Sequence, residues 1–233
     1  MFWQEDDRST KALSDIVDVL FRIRCRELPV DHLWPLSQAL RTAAPWLDED
    51  PRVAIHEIHV AGSQNGWERP GRDAAQQLVL SRRTRLILRM PRERLEQACA
   101  LEGITIDVAG HPLTIGEFKT RELSKLTTLF SRHLLTASDE DENAFLERIA
   151  AELRQRGIRV RKALCGKPDI IDTPHGVLHT RSLMLADLAT DEAIELQEQG
   201  LGEHQKLGCG IFIPHKDIEA VKKIADDETS GIL

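Results

Sequence analysis

Two successive runs of one element order constrain this chain more than any single motif does. Val17, Val19, Phe21, Ile23 and Cys25 alternate with Asp18, Arg22 and Arg24, Leu20 being the exception, as in a strand with one buried face. In LPVDHLWPLSQALRTAAPW, Asp31 is a suitable helix N-cap, and Leu33, Leu36, Leu40 and Ala43 follow helical spacing. Pro35 falls in the first turn, where amide hydrogens lack helical partners, and Pro45 closes the helix. Residues 53–60 and 84–90 read as strands, with a Gly-, Asn- and Pro-rich loop over 62–77 between them. Pro91 opens the helix RERLEQACAL, which stops at Gly103, and ITIDVAGHPLTIG turns back on itself at Gly110. The order strand, helix, strand, strand, helix, strand is the ferredoxin-like unit.

The second half repeats that order without repeating the sequence. Residues 127–137 predict a strand, and AFLERIAAELRQRG a helix with Phe145, Ile149 and Leu153 on one side and Gly157 as its stop. Segments 158–172 and 176–188 predict a long hairpin, DEAIELQEQ a short helix and CGIFIP a final strand. The expected fold is α+β, with two tandem ferredoxin-like (RRM-like) βαββαβ domains. Their expected bounds are 14–122 and 123–215, followed by a charged tail over 216–233.

Composition narrows the setting. No apolar run nears the roughly 18 residues of a membrane helix. The acidic start MFWQEDDRST does not resemble an export signal, so Cys25, Cys99, Cys165 and Cys209 are expected as reduced thiols in a cytoplasmic protein. They form no CxxC pair, which excludes a zinc ribbon. Net charge is −7, yet two windows are strongly basic. Residues 82–94 hold Arg82, Arg83, Arg85, Arg89, Arg92 and Arg94 against Glu93 alone; residues 154–167 hold Arg154, Arg156, Arg159, Arg161, Lys162 and Lys167 with no acid. Local potential rather than total charge attracts a polyanion, although both windows also read as solvated faces neutralised by acids elsewhere.

The most specific local feature is GLGEHQKLGCG, in which Gly200, Gly202, Gly208 and Gly210 bracket Lys206. Exposed amides in such a loop can hold phosphate oxygens. It follows a helix and opens a strand, unlike a dinucleotide fingerprint, and contains no GK[ST]. An elaborate helix cap and turn would explain it equally in kind, but needs fewer glycines. His32, at the positive end of the first helix, is expected to be a neutral imidazole able to accept a proton. A plain capping histidine is the bland alternative. His56 and His59, three apart on a strand, face opposite sides, and HEIH lacks zinc-helix spacing. His175 and His179 flank a turn with no completing acid or cysteine, so neither pair predicts a metal site. Trp67, with Arg69 and Arg72 nearby, suits either base stacking or anchoring of its own loop.

Together these features resemble the CRISPR repeat-processing endoribonucleases (Cas-six type) of the repeat-associated RNA-binding superfamily. LPVDHLWPLSQAL, DEDPRVAIHEIHVAG, IDVAGHPLTIG and QEQGLGEHQKLGCGIFIPHK resemble the myxobacterial-type subfamily most, and the likeness spans about residues 16–215. The resemblance implies cleavage of precursor RNA within repeats, without cofactor or metal, by attack of the RNA's own 2′-hydroxyl. The products would be a 2′,3′-cyclic phosphate and a 5′-hydroxyl. It implies catalytic roles for His32 and, as supporting cation, Lys206, with Lys119, Arg121 and Lys125 as other candidates. It implies RNA contacts from Gly200, Gly202, Lys206, Gly208, Gly210, Arg159, Arg161 and Lys162. CRISPR repeat RNA is the expected partner, other CRISPR effector subunits are admitted, and a membrane is not. Many members add a tyrosine, and this chain has none. That leaves open a non-catalytic RNA-binding subunit of an effector complex, or a ferredoxin-like regulatory domain for a small metabolite.

Overall fold

A computed structural model describes residues 14–59 and 77–215. The first unit contains β1 (Ile16–Arg24), β2 (Glu27–Pro29), α1 (Leu33–Ala43), β3 (Ala54–Ile55), β4 (Gln77–Val79), β5 (Arg85–Pro91), α2 (Leu95–Cys99), β6 (Thr105–Val108) and β7 (His111–Glu122). Its main sheet runs β3-β5-β1-β7-β6, antiparallel throughout. With the β6–β7 hairpin as the last strand, this is the ferredoxin-like order. α1 buries Leu33, Leu36 and Leu40 into a core containing Val17, Val19, Phe21, Leu86, Leu88 and Ile115.

The second unit contains β8 (Leu129–Leu135), α3 (Glu142–Gln155), β9 (Lys162–Thr173), β10 (Gly176–Ala186), α4 (Thr190–Gln199) and β11 (Ile213–Pro214). Its sheet order, β11-β8-β10-β9, is the same topology again. The acidic run supplies the cap of α3: the Asp141 carboxylate accepts the Ala144 amide at 2.8 Å. At its other end Ile158 N–H reaches Leu153 O and Gly157 N–H reaches Arg154 O, a closing pattern that satisfies the last carbonyls. Phe145, Ile149 and Leu153 pack with Leu129, Leu183, Leu185, Leu196 and Phe212. The element order expected from periodicity is therefore the observed one in both halves.

Several expectations change in detail. His32, not Asp31, stands at the N-cap of α1, and its side chain makes no cap hydrogen bond. The helix expected after Pro91 is a 3-10 turn over Arg92–Arg94 followed by the five residues of α2. The strand expected at 53–60 pairs only over Ala54–Ile55. Beyond His56, whose amide still reaches Ile87 O, the backbone is claimed by another partner: Ile58 N–H donates to the His32 ring. The small β2–β4 sheet was not expected from the pattern. The loop at 62–76, with Trp67, and the tail at 216–233 lie outside the described residues.

Asp18 was expected on the solvent side of β1, yet it is buried because the second unit covers that face. Arg89, also buried, donates through Nε to Asp18 Oδ1 at 2.8 Å. Its Nη1 donates across the junction to Gln197 O (2.9 Å) and Phe212 O (2.8 Å). Arg121 adds a contact to Asp18 Oδ2 at 2.9 Å. Gln197 in turn holds the connection between the units, accepting from Ser124 N and donating to Ser124 O. Burial alone would raise the Asp18 carboxyl; the Arg89 charge and the His56 contact instead hold it well below the usual carboxylate range.

Candidate functional site

The glycine-rich loop joins α4 to β11 and folds back across the junction. Leu201 N–H donates to Gly210 O, and Gly210 N–H donates to His133 O at 2.7 Å, tying the loop's base to β8. At Gly210 φ is +69°, and a Cβ there would stand 2.1 Å from Leu201 O, so only glycine closes this base. At Gly208 a Cβ would stand 3.0 Å from Leu33 Cδ2 and 3.7 Å from Ile55 O. The loop thus lies directly against the start of α1 and the end of β3. Leu207 and Cys209 point inward, forming a small core with Leu33 and Ile171. Burial, and then the Glu57 charge, push the Cys209 thiol up to about 12. Gly200 and Gly210 are buried and shape the loop, whereas Gly202, Glu203 and His204 form its exposed edge.

His32 lies beside this contact, enclosed. It has no exposed surface, and both ring nitrogens are engaged. Nδ1 donates toward Pro29 O (3.0 Å) and Val30 O (3.2 Å), while Nε2 accepts from Ile58 N–H (3.2 Å). These partners define the neutral Nδ1–H tautomer. The expected neutral imidazole is present, but its accepting nitrogen is used by the protein's own backbone. As folded, His32 buttresses segment 56–59 against α1.

That segment carries a cluster which the sequence reading weighed only as a metal site. Glu57 is buried, and its Oε2 lies 3.2 Å from Arg132 Nε, 3.4 Å from His133 Nε2 and 3.8 Å from His59 Nδ1. His133 is fully buried on β8, with Nδ1 3.3 Å from the Thr180 hydroxyl. His59, by contrast, has 46 % of its side chain exposed, and Arg132 has 30 %. Among the described residues no group of three His, Cys, Asp or Glu is arranged to hold a metal ion. The missed signal was the pairing of HEIH with Arg132-His133, some 75 residues on, which strand spacing cannot reveal.

Lys206 turns away from His32. Its Nζ donates to Asp50 O at 3.1 Å, and desolvation lowers its ammonium pKa. It lines a cleft of about 780 Å³ between α1 and the loop, together with Trp34, Arg41, Arg52 and His204. Arg41 and Arg52 are paired there with Asp48 and Asp50. His175, at the turn of the β9–β10 hairpin, meets Trp34 edge-on at 5.5 Å.

The structure does not gather all the expected RNA contacts at this place. Arg159, Arg161 and Lys162 stand at the opposite end of β9 from Ile171, roughly 30 Å along the strand. Arg161 donates to Asp187 O and Glu192 at 2.8 Å, and Lys162 pairs with Asp187 at 2.8 Å. Of the other candidate cations, Arg121 is committed to Asp18, while Lys119 and Lys125 are exposed outside the cleft.

The fold and this junction define a tandem ferredoxin-like protein whose two units meet around a glycine-rich elbow. The Cas6 Crispr family model matches residues 17–217, and the chain belongs to that family. It is 25% identical over 198 residues to the CRISPR-associated endonuclease Cas6 of Myxococcus xanthus (strain DK1622), a match covering 85% of this chain and 81% of the relative. Among solved structures, one described as CRISPR associated protein Cas6 superposes with a TM-score of 0.60 at 12% identity, covering 86% of this chain and 100% of the other. A Cas6-related protein from Pyrococcus furiosus superposes at 0.53 with 12% identity, covering 87% and 99%. No helix of the described residues is long and apolar enough to cross a membrane.

Proposed function

We propose that this protein is an endoribonuclease that cuts CRISPR precursor RNA within its repeats. The reading takes the cut to proceed without metal, the 2′-hydroxyl attacking the neighbouring phosphorus to leave a 2′,3′-cyclic phosphate and a 5′-hydroxyl. Family membership supports the activity. The observation that carries the site is the approach of the loop at Gly208 to the start of α1, because it brings two distant stretches of sequence to one edge. In this reading the exposed edge around Gly202, with Lys206, contacts RNA phosphates, while Gly200, Gly208 and Gly210 hold that edge in place. His32 belongs to the site through the segment it fixes, and Arg159, Arg161 and Lys162 form a separate RNA contact at the far end of the hairpin. The unit division at 122/123 and a cytoplasmic setting belong to the same proposal.

Incubating the purified chain with the direct-repeat RNA of the host's own array, in EDTA, tests this. Cleavage that persists, and that stops when the 2′-hydroxyl at the cut is replaced by hydrogen, is the expected result. A strict requirement for a divalent metal overturns the mechanism. The enclosure of His32 and the lack of tyrosine favour a second reading, a non-catalytic RNA-binding subunit. That reading predicts tight, salt-sensitive binding with no cutting by the wild-type chain.

A further inference from the structure

The cleft between α1 and the glycine-rich loop is lined by one indole that neither unit's core encloses. Of the two described tryptophans, Trp46 packs against the core of the first unit. Trp34, the second residue of α1, leans instead on the small junction core of Leu33, Ile171, Leu207 and Cys209; it stays partly exposed and lines the cleft. The His175 ring, from the β9–β10 turn, meets it edge-on at 5.5 Å. Packing and a second ring thus hold the indole in place before any ligand arrives, which lowers the entropy cost of binding on it. The walls around it carry Asp15, Glu198 and Glu203 against Arg41, Arg52 and Lys206, so their charges balance, and Arg41 and Arg52 are already paired with Asp48 and Asp50. A track for a phosphate chain needs an excess of cations. An aromatic face among mixed polar walls suits an uncharged heteroaromatic ring instead. At about 780 Å³ the cleft has room for a nucleotide.

We infer that Trp34 is the stacking platform for one unpaired base of the RNA this protein binds. The inference rests on the RNA reading above, in either of its two forms. Base and phosphate divide the cleft between them. The base lies on the indole at the α1 wall, and the neighbouring phosphate meets the exposed loop edge at Gly202 and Lys206. His175 acts through Trp34 and is a positioning residue. Every base has a π-face, so the platform selects an unstacked base over a paired one rather than one base over another.

The test uses the full chain and direct-repeat RNA in which the 2′-hydroxyl at the cut is replaced by hydrogen, so that only binding is read. Trp34→Ala is expected to weaken binding about 10-fold or more. Trp34→Phe, which keeps a π-face, should retain most of the affinity, whereas Trp34→Leu, which keeps apolar packing without one, should lose it. Single abasic nucleotides are then scanned along the RNA. One position is expected to lower wild-type affinity by a similar factor and to lower that of Trp34→Leu no further. Exchanging the base there should matter much less than removing it. His111→Ala, on the remote β6–β7 turn, is the unaffected control. Equal binding by Trp34→Leu and Trp34→Phe overturns the inference, as does a Trp34→Leu loss that adds to the abasic loss at every position. Absence of RNA binding by the wild type instead removes the RNA reading on which the inference stands.

Discussion

Two buried polar clusters bridge the two units, and they are built differently. Around Asp18, the arginines make short, aligned hydrogen bonds, and Arg89 spends its remaining donors on Gln197 O and Phe212 O. Around Glu57, the approaches lengthen from 3.2 to 3.8 Å and end at a half-exposed histidine. In the first cluster the buried Arg89 bonds to both units while Arg121 caps Asp18 from a half-exposed edge, so it fixes how the units sit. In the second, Glu57 Oε2, Arg132 Nε and His133 Nε2 lie close together without hydrogen-bond geometry, so it holds its members less tightly. Short, aligned bonds from a buried arginine fix geometry, whereas close contacts without that alignment fix it less.

The largest effect should come from the Asp18 cluster. Arg89→Ala leaves a buried Asp18 short of its main partner and two carbonyls unpaired. It should cost about 3–5 kcal/mol in stability, read as a lower denaturation midpoint. A midpoint close to wild type would mean that the cluster does not hold the units together. His32→Ala should cost less, about 2–3 kcal/mol, because it orphans the Ile58 amide and opens a small cavity. If His32 only buttresses, the variant loses stability and cutting together, and His32→Gln, which can accept the same amide, recovers part of both. Full stability with cutting abolished would instead point to a proton-transfer role for His32. The smallest effect is in pH dependence. Burial pushes the His56 imidazole down, against Asp18 and with help from the Arg89 and Arg121 charges. The unfolded chain therefore binds the proton more readily, and stability should fall as pH drops below about 6.5. His56→Gln should flatten that slope by at most about 1.4 kcal/mol per pH unit. An unchanged slope between pH 7 and 5 would show that His56 is not held neutral.

The fold was legible where periodicity is local. Alternation in 17–25 and the Phe145, Ile149, Leu153 stripe each point to a face that must be covered, and two such sets in the same order imply two ferredoxin-like units. What misled was context. HEIH looked like a strand, but His32 captured the Ile58 amide and ended the pairing at Ile55. Asp18 looked solvated, but a second unit covers it. The window with Arg161 and Lys162 reads in sequence either as a basic patch or as a face neutralised by distant acids, and only the fold shows that Asp187 and Glu192, brought in by the hairpin and α4, pair with them.

Element order, the hairpin turns, the cap at Asp141 and the glycine requirement of the elbow are properties of short stretches, and the chain's residues alone determine them. Which arginines are consumed depends on neighbours 71 and 123 positions away, as with Arg89 and Asp18 or Arg89 and Phe212, and the sealing of His32 depends on the Ile58 amide 26 positions on. Burial and hydrogen-bond partners decide the chemistry of an ionisable group. Those are set only when the two units close on each other, so the tertiary structure decided that the ring nitrogens of His32 are spent on Pro29 O, Val30 O and the Ile58 amide.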